Sequence, residues 1–232
     1  MVMMGVLAYG AMVIFLFWND VTGDVPVSYK THYDAIARRL SVCLDSVPDG
    51  RDRPEIKDGR DDDRLAAVLV PLLWRNSGWH ILMTKRAAHL PHHAGQISFP
   101  GGALDASDKG LIDTALREAH EEISLAPTSV RVMGGLLPVR SPSGFIVQPI
   151  IGIVDGNIFD ELRADPAEVD IIFTLPLAHI GQPDNFSLVA RQTKGCDTSY
   201  WVISHPEHYI WGLSARVLND LRERLFNAQT LL

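Results

Sequence analysis

Apolar residues along Tyr33–Leu44 recur with helical spacing: Ile36, Leu40 and Leu44 share one face, the pattern of an amphipathic helix. The pattern then changes. Leu65–Trp74 and Trp79–Lys85 are strongly apolar and are separated by Asn76, Ser77 and Gly78, so they predict two strands joined by a hairpin turn. A short strand over Ile97–Phe99 ends at Pro100, Gly101 and Gly102. Leu111–Ser124 returns to the helical period and is the clearest helix in the chain. Val130–Val139 and Phe145–Val154 predict further strands, broken by Ser141, Pro142, Ser143 and Gly144. Val169–Leu175 predicts another strand, and Leu213–Phe226 a closing amphipathic helix. Strands and helices interleave without regular βαβ spacing and without internal repeats. This predicts an α/β fold with a mixed β-sheet between helices.

The ends and the connections divide the chain into an apolar leader (1–30), a helix with a charged linker (31–64) and a main domain (65–226). Residues 49–64 are dense in Asp, Arg, Gly and Pro, which predicts a solvated linker. Met1–Trp18 carries no charged residue and ends in the apolar run Val13–Trp18. That length sits at the lower limit for a membrane-spanning helix. No Lys or Arg precedes the run and no small-residue cleavage site follows it, which argues against a secretory signal. Two readings stand level: a membrane anchor through residues 1–18, or a translation start further downstream.

Composition narrows the partners. A hydrophobic content of 47% over 232 residues supports one sizeable core. A net charge of −7 gives no reason to expect nucleic-acid binding. An acidic protein that binds a polyanion needs a local device such as a metal, an Arg cluster or backbone N–H groups. Cys43 and Cys196 lack metal-ligand spacing and suggest a reducing compartment. The expected location is therefore cytoplasmic, with membrane anchoring by the N-terminal segment as the variant reading.

The helix over Leu111–Ser124 carries the chemistry. At roughly 100° per residue, Leu111, Ile112, Ala115, Leu116, Ala119 and Ile123 form one apolar arc. Glu118, Glu121 and Glu122 occupy the adjoining arc, with Glu122 at the edge of the buried face. Glu118 and Glu122 repel as like charges one turn apart. All three acids lie toward the C-terminal end, where the helix dipole disfavours negative charge. Arg117 alone cannot neutralise them. A bound dication resolves the conflict: Mg²⁺ takes one or two carboxylates together with waters and substrate phosphates. Glu118 and Glu122 are the first-choice ligands, with Glu121 assisting. A solvated acidic face is the competing reading.

The segment Gly102 to Leu125, with Arg117, Glu118, Glu121 and Glu122 as its core, resembles the Nudix box. Asp108 stands at the box's first Glu position with eight residues before Arg117, and Ser124 replaces the final Gly. Leu82–Arg86 and Leu90–Gly102 are similar to the stretch that precedes the box in the coenzyme A pyrophosphatase branch. Ala87 and Pro91 replace a Ser and an Arg there. Thr114–Ala119, Ile210–Gly212, Ala215 and Arg216 also match that branch. The resemblance implies a Nudix α/β/α sandwich. It further implies Mg²⁺- or Mn²⁺-dependent hydrolysis of coenzyme A to 3′,5′-ADP and 4′-phosphopantetheine, a small-molecule substrate with no nucleic acid.

Under that resemblance the base is Glu121 or a loop acid, of which Glu168, just before the strand at Val169, is best placed. Arg117 orients the carboxylates. Gly101 and Gly102 allow the turn that delivers the helix, with close approach of substrate as the second reading. Lys85 and Arg86 meet substrate phosphate or occupy a strand end. His93 matches the family's His and is the histidine expected to approach the substrate diphosphate, and His89 and His92 share its loop without a fourth ligand for zinc. Trp211 is expected in the core rather than as an adenine platform. A broader nucleoside-diphosphate hydrolase acting on ADP-ribose or dinucleotides, a non-catalytic ligand sensor and a homodimer remain open on the sequence.

Overall fold

The computed structural model describes residues 29–48, 50–56, 59–193 and 196–226. The expected N-terminal helix is α1 (Tyr29–Cys43). Strands β1 (Arg64–Arg75) and β2 (Gly78–Arg86) form the expected hairpin, in which Arg75 pairs with Gly78. Asn76 and Ser77 have φ of 51° and 63°. Two left-handed residues in succession match the twist of the flanking strands. These positions fall to Asn76 and Ser77, and Gly78 already belongs to the strand.

The chain continues through β3 (Ile97–Ser98), β4 (Gly101–Ala103) and α2 (Leu111–Ile123). It then runs through β5 (Val130–Gly135), β6 (Val139–Arg140), β7 (Phe145–Val154) and β8 (Val169–Pro176). After the short α3 (Leu177–Ile180) come β9 (Phe186–Thr193), β10 (Cys196–Ile203), β11 (Ile210–Trp211) and α4 (Gly212–Phe226). The main sheet follows the order β3-β2-β1-β7-β5, with β8 added to β2, β4 to β1 and β6 to β7. β1 and β7 run parallel and the other pairs antiparallel, so the sheet is mixed.

Alternation along β1 divides the interior into two cores. Ala67, Leu69 and Leu73 face α2, where they meet Leu111, Ala115, Ala119 and Ile123. Ala67, Ala115 and Ala119 are fully buried, and their small side chains let the helix lie close to the sheet. Each of Leu111 and Ile123 contributes roughly 2 kcal/mol through burial. Val70 and Leu72 face the other way and pack with Ile36 and Leu40 of α1 and Val217, Leu218 and Leu221 of α4. The result is an α/β/α sandwich. Arg39 donates to the Leu225 carbonyl at 3.0 Å and Arg224 to that of Cys43 at 2.9 Å, joining α1 to the end of α4.

Four expectations change. No helix among the described residues is long and apolar enough to cross a membrane, which corrects the membrane-anchored reading of this chain; residues 1–18 themselves lie outside the described residues. The strand expected over Val130–Val139 breaks after Gly135, and Pro138, which has no backbone N–H, lies in the gap. The charged segment is anchored as well as solvated. Arg51 donates to the carbonyls of Ala106 and Asp108, and buried Asp63 accepts two bonds from Arg140 at 2.6 and 2.8 Å. Finally, the β9–β10 hairpin was not anticipated, although Phe186–Ala190 and Tyr200–Ile203 are rich in strand formers.

Candidate functional site

The site is built on the last turns of α2. Glu118, Glu121 and Glu122 leave the helix at three depths, with side-chain exposures of 16%, 54% and 2%. The helix ends at Ser124, which adopts the left-handed conformation (φ 58°, ψ 25°) that the family's glycine would take without strain. The Ser124 hydroxyl donates to the Arg163 carbonyl at 3.2 Å. Near the start of the helix, Asp108 is 4% exposed and accepts from Arg117 at 2.8 and 3.1 Å and from the Thr114 hydroxyl at 2.9 Å. The Arg117 guanidinium holds the Asp108 carboxyl at about 2. The shorter acid at the box's first Glu position thus still pairs with the Arg.

Arg117 also meets Glu118 at 3.0 Å and Glu121 at 2.8 Å. It ties down three carboxylates and leaves Glu122 without a share. Burial pushes the Glu122 carboxyl up to about 8, opposed by Arg86 and by a hydrogen bond from the Gly101 N–H, while Glu168 and Glu118 add to the rise. Burial also raises Glu118, against the pull of Arg117, with Glu121 and Glu168 adding to the rise. Glu118, Glu122 and Glu168 therefore share one field. Glu121 points outward, into its pair with Arg117.

The two glycines make room. A Cβ on Gly102 would sit 2.3 Å from the Glu118 Oε1, and one on Gly101 would sit 2.4 Å from the Ala67 carbonyl oxygen. Gly101 lets β4 press against β1, and Gly102 leaves space for a carboxylate; their role is close approach more than turning. Glu168 is presented by a turn closed on Asp165. The Asp165 carbonyl accepts from the N–H groups of Glu168 and Val169, and its side chain accepts from the Ala167 N–H. The Asp165 N–H in turn donates to the Glu122 carbonyl at 2.9 Å, which fixes the loop to the helix. Asp165 was not singled out from the sequence, although Asp165-Pro166 is a turn-forming pair.

The β2 candidates separate. Arg86 lies 3.7 Å from Glu122, and its Nε is buried without a hydrogen-bond partner. Lys85 pairs with Asp170 at 2.9 Å. The loop between them and β3 is closed by backbone bonds from Arg86 to Gln96 and from Gly95 to Arg86. His93 is exposed on it at φ 56°, with its Nδ1 3.0 Å from the Gln96 Oε1. His89 reaches the Ala167 carbonyl at 3.2 Å, beside Glu168. Trp211 is half-buried and meets Tyr200 edge-on at 5.5 Å. A recess of about 600 Å³ elsewhere, lined by Arg53, Pro54, Glu55, Ile56, Arg60 and Asp61 among others, contains none of Glu118, Glu121, Glu122 and Glu168.

Among the described residues, no three His, Cys, Asp or Glu side chains converge into a complete ligand set. Two carboxylates with open positions are nevertheless what Mg²⁺ uses when substrate phosphates and waters supply the rest. A half-buried and a buried carboxylate one turn apart, with Glu168 adding to their negative field and one arginine beside the deeper, fit a dication on electrostatic grounds.

Known proteins are similar to this chain. The family model described as NUDIX domain matches residues 63–192. The chain is 40% identical over 169 residues to an uncharacterised Nudix hydrolase, NudL, of Salmonella heidelberg, covering 73% of this chain and 86% of that one. NudL of Salmonella newport is 39% identical over the same length, with the same coverage. Among solved structures, an Ap4A hydrolase binary complex of C. elegans is similar at a TM-score of 0.42 and 18% identity, covering 49% of this chain and 80% of that one. Shewanella oneidensis NrtR is similar at 0.43 and 19%, covering 70% of this chain and 61% of that one.

Proposed function

This chain belongs to the Nudix hydrolase family, and we propose that it hydrolyses the diphosphate bond of coenzyme A or a derivative, giving 3′,5′-ADP and 4′-phosphopantetheine or its acyl form. The observation that carries the hydrolytic reading is Glu122. A carboxylate 2% exposed, one turn from half-buried Glu118, costs the fold stability unless a cation neutralises it. The coenzyme A assignment rests on the likeness of Leu82–Arg86 and Leu90–Gly102 to the coenzyme A pyrophosphatase branch.

Nudix hydrolases work with divalent metal ions, and Mg²⁺ or Mn²⁺ fits the oxygen donors here. When bound, such an ion supplies neutralisation of the diphosphate charge and a lowered pKa for water. Glu118 and Glu122 would hold it. Glu168, close enough to raise both of their carboxyls, takes the proton from the attacking water. Glu121, salt-bridged to Arg117, sets the orientation of that arginine and through it of Glu118. Arg86 brings a guanidinium beside Glu122, where a phosphate oxygen can reach it. His93, on the exposed loop between β2 and β3, is the candidate to meet the far side of the diphosphate. Gly101 and Gly102 keep this approach clear.

The test is a product screen by mass with coenzyme A, acyl-coenzyme A, ADP-ribose and a dinucleotide, with and without Mg²⁺ or Mn²⁺. Metal-dependent release of 3′,5′-ADP and 4′-phosphopantetheine supports the assignment. Rapid cleavage of ADP-ribose with coenzyme A untouched overturns the substrate and keeps the family.

A further inference from the structure

Arg86 is in an unusual position for an arginine. Among the described residues it is the cation beside Glu122, yet at 3.7 Å it is too far for a hydrogen bond, and its Nε is buried with no acceptor. A guanidinium placed for its own stability would bind the carboxylate with two parallel N–H groups, as Arg117 binds Asp108. Arg86 balances charge here while leaving donor capacity unused. Its backbone is held on both sides: its N–H donates to Gln96, its carbonyl accepts from Gly95, and the β2–β8 register shifts between Lys85 and Arg86. The side chain, unlike the backbone, has a donor without a partner at Nε.

A dication on Glu118 and Glu122 would bring two like charges close together, because Arg86 already lies beside the same carboxylate. The arginine would then be repelled from Glu122 just as the ion draws a polyanion to the site. An oxygen of that polyanion supplies the acceptor its Nε lacks.

We propose that Arg86 serves two anions in turn, standing in for the metal beside Glu122 in the ion-free protein and passing to a phosphate oxygen of the substrate when the ion arrives. The inference rests on the metal-dependent reading above and deepens it: ion and diphosphate bind cooperatively, and the coupling runs through this one side chain.

The experiment is calorimetric titration of the full chain with Mg²⁺ at about pH 9, where the acids are largely ionised. Methylenediphosphonate, a non-hydrolysable diphosphate, is then titrated at saturating Mg²⁺. Wild type, Arg86→Met and Arg86→Lys are compared. Arg86→Met should bind Mg²⁺ several-fold more tightly, because the competing cation is gone, and methylenediphosphonate about tenfold more weakly. Arg86→Lys keeps the charge without the planar fork; it should return Mg²⁺ affinity to the wild-type value and restore only part of the diphosphonate affinity.

Weaker Mg²⁺ binding in Arg86→Met with unchanged diphosphonate binding would make Arg86 a buttress for Glu122 and overturn the proposal. Unchanged Mg²⁺ binding with weaker diphosphonate binding would make it a phosphate ligand alone, and also overturns it. A wild-type chain that takes up no Mg²⁺ would remove the metal site itself, a separate failure that these comparisons distinguish.

Discussion

Replacing Glu122 with Gln should stabilise the metal-free protein while removing its metal-dependent turnover. Gln fills the same volume and cannot ionise. In the folded chain the Glu122 carboxyl is raised from 4.5 to about 8, with burial the main cause. Between those two values the folded state holds a proton that the unfolded chain has released, so stability falls as pH rises from about 4.5 and levels off above about 8. The full difference is about 5 kcal/mol above pH 8 and roughly 3 kcal/mol at pH 7, both upper figures. That value already includes the pull of Arg86 on the ionised carboxyl. Glu122→Gln should then be up to roughly 3 kcal/mol more stable than wild type at pH 7 in EDTA, with the gap closing toward pH 5. Urea denaturation in EDTA across this range measures it directly. Saturating Mg²⁺ should reverse the order, because only the wild type gains binding free energy on folding. Equal midpoints for the two proteins at pH 7, with no convergence toward pH 5, would refute the account of Glu122 as a destabilising buried acid.

Three further outcomes are expected. Gly102→Ala, whose Cβ would lie 2.3 Å from the Glu118 carboxylate, should displace that side chain and weaken Mg²⁺ binding about tenfold or more with the circular dichroism unchanged. Ser124→Gly relieves a left-handed serine at the end of α2 and loses one hydroxyl bond to Arg163, so a net gain of roughly 0.5 kcal/mol should appear in thermal melts. Asp108→Ala strips Arg117 of its two-pronged partner and should cost roughly 2 kcal/mol or more near neutral pH. Because the Asp108 carboxyl lies below its unfolded value, at about 2, that difference should shrink as pH falls from about 4 toward 2, as acid unfolding of wild type and variant would show.

The layering was legible because β1, β2 and α2 carry periods that match their final faces: Ile36 and Leu40 of α1 and Ala115 and Ala119 of α2 all point inward as the pattern requires. The depth of Glu122 could be read from its azimuth on the wheel, since it shares the edge of the apolar arc with Ala115. What the wheel could not show was how the helix acids divide their partners. Arg117 lies next to Glu118 in sequence and spans Asp108 and Glu121 in space, a division that depends on the loop before the helix. The β9–β10 hairpin was missed because its strands carry Arg191, Gln192, Asp197 and Ser199 among the strand formers. Period-two patterns interrupted by polar residues on both faces give little contrast. The tethering of the charged segment by Arg51 and Asp63 is a tertiary event between distant residues, and no local pattern encodes it.

The three alanines between α2 and β1 have a consequence for how such a site can change. Ala67, Ala115 and Ala119 set the standoff of the helix from the sheet, and that standoff determines how deeply the carboxylates hang over Gly101 and Gly102. Exchanging one methyl for an isopropyl group behind the helix would lift its whole acidic edge without touching a ligand. Reactivity at the front of this protein is thus adjustable from its back, through side chains that never see solvent or substrate.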